Sequence, residues 1–131
     1  MNQFLLDTHA LIWWLSPAER LSQTARTIIE NKDNTIFVSS VSGWEMTIKR
    51  RAGKLAIPAV LRVLDNYQTM LDDNGFIALP IEIEDGLLAG NLDIPHRDPF
   101  DRMLFAQALR RDLGLVSIDG IADQAGCRRI W

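Results

Sequence analysis

Five acids in this chain stand where they could work together: Asp7 in LLDT, Glu45 in SGWE, Asp98 and Asp101 in DPFD, and Asp119 in VSID. Carboxylates within a few ångströms of one another repel, and they stay ionised together only beside a cation. The hard divalent ions Mg²⁺ and Mn²⁺ favour such oxygen ligands, with water completing the shell. That equipment suits phosphodiester hydrolysis. The ion polarises phosphoryl oxygens and lowers the pKa of a water that attacks in line, and a second ion can stabilise the leaving oxygen.

Each acid also has an ordinary structural role. Asp98 is a natural helix N-cap, with Pro99 at the favoured first helical position and Asp101 at N3. Ser42 and Glu45 have capping-box spacing, Asp7 can cap a helix that starts at Thr8, and Asp119–Gly120 is a turn dipeptide. In DPFD, Asp98 is better placed to hold the helix and Asp101, one turn in, to project into a cleft. The two roles can also be shared.

The elements that carry these acids decide between the readings. Residues 3–7 read as a buried strand ending at Asp7, followed by THALIWWL with helical character. Helices are expected over 16–34, 40–55, 57–75, 82–93 and 98–114, the last stopped by Gly114. Strands are expected over 35–40, 76–81 and 115–119, with a short last one over 127–131. This alternation points to an α/β fold, a parallel sheet with helices on both faces. Such sheets bind ligands at the carboxyl ends of their strands, at a switch point in strand order. Asp7 and Asp119 end two strands, Glu45 lies in the first turns of the helix after a third, and Asp98 and Asp101 open the helix feeding a fourth. All five fall at one rim.

A chain of 131 residues suits one domain, and a net charge of −3 argues against a surface coated for gripping nucleic acid. Local basic patches remain: Lys49, Arg50, Arg51 and Lys54 follow Glu45, and Arg97 and Arg102 flank the DPFD acids. Of these, Lys49 and Arg102 are the favoured substrate contacts, and the others read as solvated faces. Arg128 and Arg129 read as edge-strand charges. Cys127 is the single cysteine, so no intrachain disulfide forms. With no secretory leader recognised and no apolar run near the ~20 residues of a membrane span, a reducing cytoplasmic setting is expected. His9 and His96 are the two histidines, too few for a zinc pattern, and neither is given a chemical role. Trp44 is expected to pack in the core and fix Glu45.

Taken in order, LLDTHALIWWL, VSSVSGWEMTIKRRAGKL, HRDPFDRMLFAQAL and LVSID resemble the PIN domain, and more narrowly the VapC-type toxins of bacterial toxin–antitoxin pairs. The resemblance runs the length of the chain, residues 1–131 as one domain. It implies a Rossmann-like α/β/α sandwich with four or five parallel strands and a metal-dependent endoribonuclease site. It puts the catalytic acids on Asp7, Glu45, Asp101 and Asp119, with Asp7, Asp101 and Asp119 holding Mg²⁺ or Mn²⁺. Asp98, Thr8 and Ser117, the last where the family often has threonine, are supporting residues. The implied partners are an RNA substrate, a second copy in a homodimer, and a VapB-like antitoxin with which larger assemblies form. The antitoxin's tail would lie along a groove that includes LIWWL and place a basic side chain among the acids. Trp13 and Trp14 are adjacent and so point in different directions from one helix.

Two other readings compete. A phosphoacceptor signalling domain needs a lysine near a late strand, and the last lysine here is Lys54. A binding module would keep the fold and use the acids only to hold an antitoxin or RNA.

Overall fold

The structure is a computed structural model, and it describes residues 2–17 and 19–131. The strands β1 (Gln3–Leu6), β2 (Thr35–Ser39), β3 (Ile77–Leu79), β4 (Gly114–Val116) and β5 (Arg128–Ile130) form one sheet in the order β3-β2-β1-β4-β5. Every pairing is parallel. The expected parallel sheet is therefore present, with five strands. The order runs outward from β1 first through β2 and β3, then through β4 and β5. This puts the reversal between β1 and β4, where an open α/β sheet forms its ligand crevice.

Period-two alternation in β1 explains how both faces are covered. Phe4 and Leu6 face one layer, together with Ile36, Val38 and Val116. Against them pack α1 (Thr8–Leu15), α2 (Gln23–Glu30), α4 (Pro58–Leu64) and α5 (Tyr67–Asn74), through Leu11, Ile29, Val60 and Met70. Leu5 faces the opposite way with Leu79 and Leu115, and meets Leu104, Phe105 and Ala108 of α7 (Pro99–Arg111). The helix α3 (Ser40–Arg51) serves both layers, with Met46 in the first and Val41 in the second. The remaining helices are α6 (Ile83–Asn91) and α8 (Ile121–Gln124). Among the described residues, no helix is long and apolar enough to cross a membrane.

Several boundaries differ from the sequence expectation, for physical reasons. The expected helix over 57–75 is two helices, because Asn66 leaves helical space (φ −134°, ψ 46°). The helix expected over 16–34 shortens to α2, where Ser22 Oγ accepts from Ala25 N; Ala18 lies outside the described residues. Gly114 does not stop α7. The chain turns at Asp112, in the left-handed region at φ 52°, and Gly114 opens β4. A Cβ on Gly114 would sit 2.7 Å from Ile130 Cδ1 and 2.8 Å from Phe4 Cδ1, so the flanking strands' side chains require the glycine.

A charged clamp fixes α6 to α7. Asp85 is fully buried, and its carboxylate accepts from Arg110 Nη1 at 2.6 Å and from Arg111 Nη1 and Nη2 at 2.8 and 3.0 Å. Burial alone would raise this carboxyl, but hydrogen bonds from Arg111, the Glu82 N–H and Arg110 outweigh it and hold Asp85 down to about 2. A depressed folded value stabilises the fold at pH above the carboxyl's ordinary 3.8, and the contribution is lost as pH falls through about 2. Asp85→Asn is therefore expected to cost about 2 kcal/mol near neutral pH. Urea melts should show that gap closing at about pH 2. An equal gap at both pH values would mean that the clamp acts through packing rather than charge.

Candidate active site

The crevice between β1 and β4 is held together by one hydroxyl. Asp7 extends β1 by a residue, its N–H donating to Val116 O at 3.0 Å, and its side chain is 1% exposed. Ser117 follows β4 and donates from Oγ to Asp7 Oδ2 at 2.7 Å. The same oxygen accepts from Asp119 N at 3.0 Å, while Asp119 Oδ1 accepts from Ile121 N at 3.1 Å and so opens α8. Ser117 thus links the acids at the ends of the two strands that flank the switch point.

The next acid is positioned by α3. Ser39, rather than Ser42, caps this helix, accepting from Val41 N. Ser42 instead lies 3.0 Å from Thr8 Oγ1, both hydroxyls buried, which ties α3 to the start of α1 beside Asp7. Glu45 is two turns in and 5% exposed. Its Oε2 is 2.9 Å from Lys49 Nζ, and its Oε1 is buried without a hydrogen-bond partner among the described residues.

The mouth of α7 brings the last acids. Asp98 caps it as the spacing suggested, Oδ1 accepting from Phe100 N at 2.9 Å and Asp101 N at 3.2 Å. Asp101 Oδ2 lies 2.8 Å from His96 Nε2. One ligand atom each from His96, Asp101 and Asp119 falls within 4.8 Å of the others.

The acids feel one another. Burial pushes Asp7 up to about 6, the Ser117 hydroxyl opposes it, and repulsion from Glu45 and Asp119 adds to it. Burial likewise pushes Asp101 up to about 6, against the His96 hydrogen bond and reinforced by Asp7, Asp98 and Glu45. His9 is held below its usual value chiefly by burial. Its Nε2 accepts from Ile118 N at 3.1 Å, and its Nδ1 lies 3.5 Å from Asp7 Oδ1. Crowded, protonation-prone carboxylates with an unpartnered buried oxygen at Glu45 fit a divalent cation, whose charge reverses those shifts.

The structure thus brings Asp7, Glu45, Asp101 and Asp119 into one interacting group, with Ser117, Thr8 and Asp98 supporting it through the hydrogen bonds above. Lys49 stands beside the group on Glu45. Arg102 does not stand free for substrate. Its five N–H donors go to the backbone carbonyls of Ala89, Gly90, Leu92, Ile94 and His96, so no donor is left for a phosphate. Trp44 is not in the core; it is 56% exposed, with its ring edge-on to Phe100 at 4.9 Å. It forms one wall of an apolar cavity of about 400 Å³ with Tyr67 and Leu71, and Glu45 is fixed by its own burial and by Lys49. Trp13 rests on His9 and Trp131, and Trp14 donates to Asn74 Oδ1 at 2.9 Å, so both rings have partners within the chain. Arg128 and Arg129 pair with Asp112 and Asp123. His96 is the site residue that sequence reasoning set aside. Its place just before the Asp98 cap, five residues ahead of Asp101, was the available signal.

A family model described as PIN domain matches residues 4–126. Ribonuclease VapC22 of Mycobacterium tuberculosis is 29% identical over 121 residues, covering 91% of this chain and 88% of that protein. Among solved structures, FitAcB from Neisseria gonorrhoeae aligns with a TM-score of 0.68 at 17% identity, over 98% of this chain and 96% of that one. VapBC2 from Rickettsia felis, solved with a DNA fragment from its promoter, aligns with a TM-score of 0.67 at 14% identity, over 98% and 97%. At such identities the solved structures speak for the fold alone. The family match begins within β1 and ends just before β5, enclosing all the acids of the crevice: the chain belongs to the PIN domain family.

Proposed function

We propose that this chain is a metal-dependent endoribonuclease and the toxin of a VapC-type toxin–antitoxin pair. The observation that carries this reading is the coupled group Asp7, Glu45, Asp101 and Asp119 at the switch point, in a chain similar to Ribonuclease VapC22. Asp7, Asp101 and Asp119 would hold the cation, Mg²⁺ or Mn²⁺. When bound, it supplies polarisation of the scissile phosphoryl group and a more acidic water.

The chain's own residues supply the rest. Ser117 holds Asp7 in a fixed rotamer, and Asp98 fixes the helix turn that presents Asp101. Glu45 Oε1, with no donor on it among the described residues, would take the proton of the attacking water. Lys49, held on Glu45 at 2.9 Å, would attract the incoming phosphate as a point charge beside the acids. The likeness to a toxin–antitoxin complex from Klebsiella pneumoniae and to VapBC2 from Rickettsia felis supports a VapB-like antitoxin as partner, and a homodimer belongs to the same proposal. A shallow recess of about 230 Å³ formed by Trp13, Ser16, Arg20 and Ile57 offers that antitoxin's tail a place on α1.

Attack by water and attack by the RNA's own 2′-hydroxyl leave different ends. A cation held by these acids would supply an acidic water as nucleophile, with Glu45 as its base, so the RNA's own hydroxyl is not needed for attack. The products are therefore expected to carry 5′-phosphate and 3′-hydroxyl ends, and RNA blocked as 2′-O-methyl should still be cut. Cyclic phosphate ends would overturn the mechanism. Tight Mn²⁺ binding with no cleavage of any cellular RNA would make the chain a binding module instead.

A further inference from the structure

We propose that His96 is itself a ligand of the cation and that its imidazole biases the site toward Mn²⁺ over Mg²⁺. The inference rests on the reading that these acids hold a divalent ion. Its own basis is geometric. In an octahedral shell with bonds of about 2.1 Å, neighbouring ligand atoms lie about 3 Å apart and opposite ones about 4.2 Å. His96 Nε2 and Asp101 Oδ2 are 2.8 Å apart, close to such an edge, and the His96, Asp101 and Asp119 atoms together span no more than 4.8 Å. Glu45, 5% exposed, adds its charge beside Asp7 and Asp101, and its buried Oε1 has no hydrogen-bond partner among the described residues.

The backbone that carries the ring is held in place from behind. The His96 carbonyl accepts from Arg102 Nη1 at 2.8 Å, and Arg102 also donates to two carbonyls of the preceding loop and two at the end of α6. The ring lies 6.1 Å from Phe105, which is fully buried. A surface histidine that merely met Asp101 would need no such anchoring. Imidazole nitrogen suits Mn²⁺ and later transition ions better than Mg²⁺, which demands oxygen and water. Replacing one oxygen ligand by His96 therefore tilts an otherwise carboxylate site.

Pulsed electron paramagnetic resonance on the untagged full chain loaded with Mn²⁺ reads this directly, because a bound imidazole modulates the manganese echo at nitrogen frequencies. The chain has two histidines, so His96→Gln and His9→Gln complete the assignment. The expected result is nitrogen modulation in the wild type and in His9→Gln, absent in His96→Gln. Circular dichroism should show His96→Gln folded. Calorimetry should show its Mn²⁺ affinity reduced about tenfold or more, with Mg²⁺ affinity changed far less. Bound Mn²⁺ without nitrogen modulation, or with modulation that survives in His96→Gln, overturns the inference and leaves the carboxylate site standing. Failure of the wild type to bind Mn²⁺ at all overturns both.

Discussion

Asp7→Asn is expected to abolish RNA cleavage and, near neutral pH, to raise the melting temperature. The first effect follows from its place. Asp7 is the acid at the switch point, and on the proposed function removing its charge would take away a cation ligand. A loss of several kcal/mol of transition-state stabilisation corresponds to a drop of about a thousandfold or more. The second effect follows from burial, which raises the Asp7 carboxyl from 3.8 to about 6. The folded state then holds this proton more tightly than the unfolded chain, so stability falls as pH rises from 3.8 through about 6. The charged carboxylate costs the fold about 3 kcal/mol above that range. An asparagine keeps a carbonyl for Ser117 Oγ but bonds it less well than a carboxylate does. A net gain of roughly 1–2 kcal/mol is expected, and it should vanish at about pH 4. Saturating Mn²⁺ should stabilise the wild type and close the gap, because the ion binds only the folded site. Thermal melts at the two pH values, with and without Mn²⁺, check the whole pattern. A variant that melts lower near neutral pH would show that Asp7 is there to hold the fold.

Arg102→Ala should destabilise the chain strongly and should disable the site from behind. Five carbonyls lose a charged donor at once, two of them at 2.7 and 2.8 Å, on Leu92 and His96. Water can reach part of that loop, so the expected cost is about 3 kcal/mol rather than the sum of five strong bonds. For a domain of this size that is on the order of 10 °C in melting temperature. Cleavage should fall about a hundredfold, because the segment that presents His96 and the Asp98 cap loses its anchor. Arg102→Lys separates this role from phosphate binding. An ammonium keeps the charge but cannot reach five carbonyls in a planar fork. It should melt nearly as low as the alanine variant and cut as poorly. A lysine variant with wild-type stability and much of its activity would restore Arg102 as a substrate contact.

What the sequence disclosed and what it hid follow from range. Asp98 and Pro99 announce a helix start by local chemistry, and the structure keeps the cap they describe. The strands expected over 3–7 and 115–119 were legible as short apolar runs, the second ending at Val116 in the structure, and parallel order then put their ends together. Arg102 hides its role because its acceptors are main-chain carbonyls up to 13 residues upstream, and any sequence provides those. His96 looks like an isolated histidine until the folding of that loop turns it onto Asp101. Trp44 carries the composition of a core residue, but its helical phase lies about 100° from Glu45 and about 200° from Met46, both of which are buried. Gly114 has the look of a helix stop, while its real constraint comes from Phe4 and Ile130 on two neighbouring strands.

The central claim is that the crevice acids form one metal-dependent ribonuclease site, and it is tested most directly by cleavage. Total RNA and transfer RNA would be incubated with the antitoxin-free chain in Mn²⁺, Mg²⁺ or EDTA, beside Asp7→Asn and Asp101→Asn. The account predicts cutting by the wild type with either metal, none in EDTA, and none by either variant. Equal cutting by all three proteins, or cutting that survives EDTA, would contradict it.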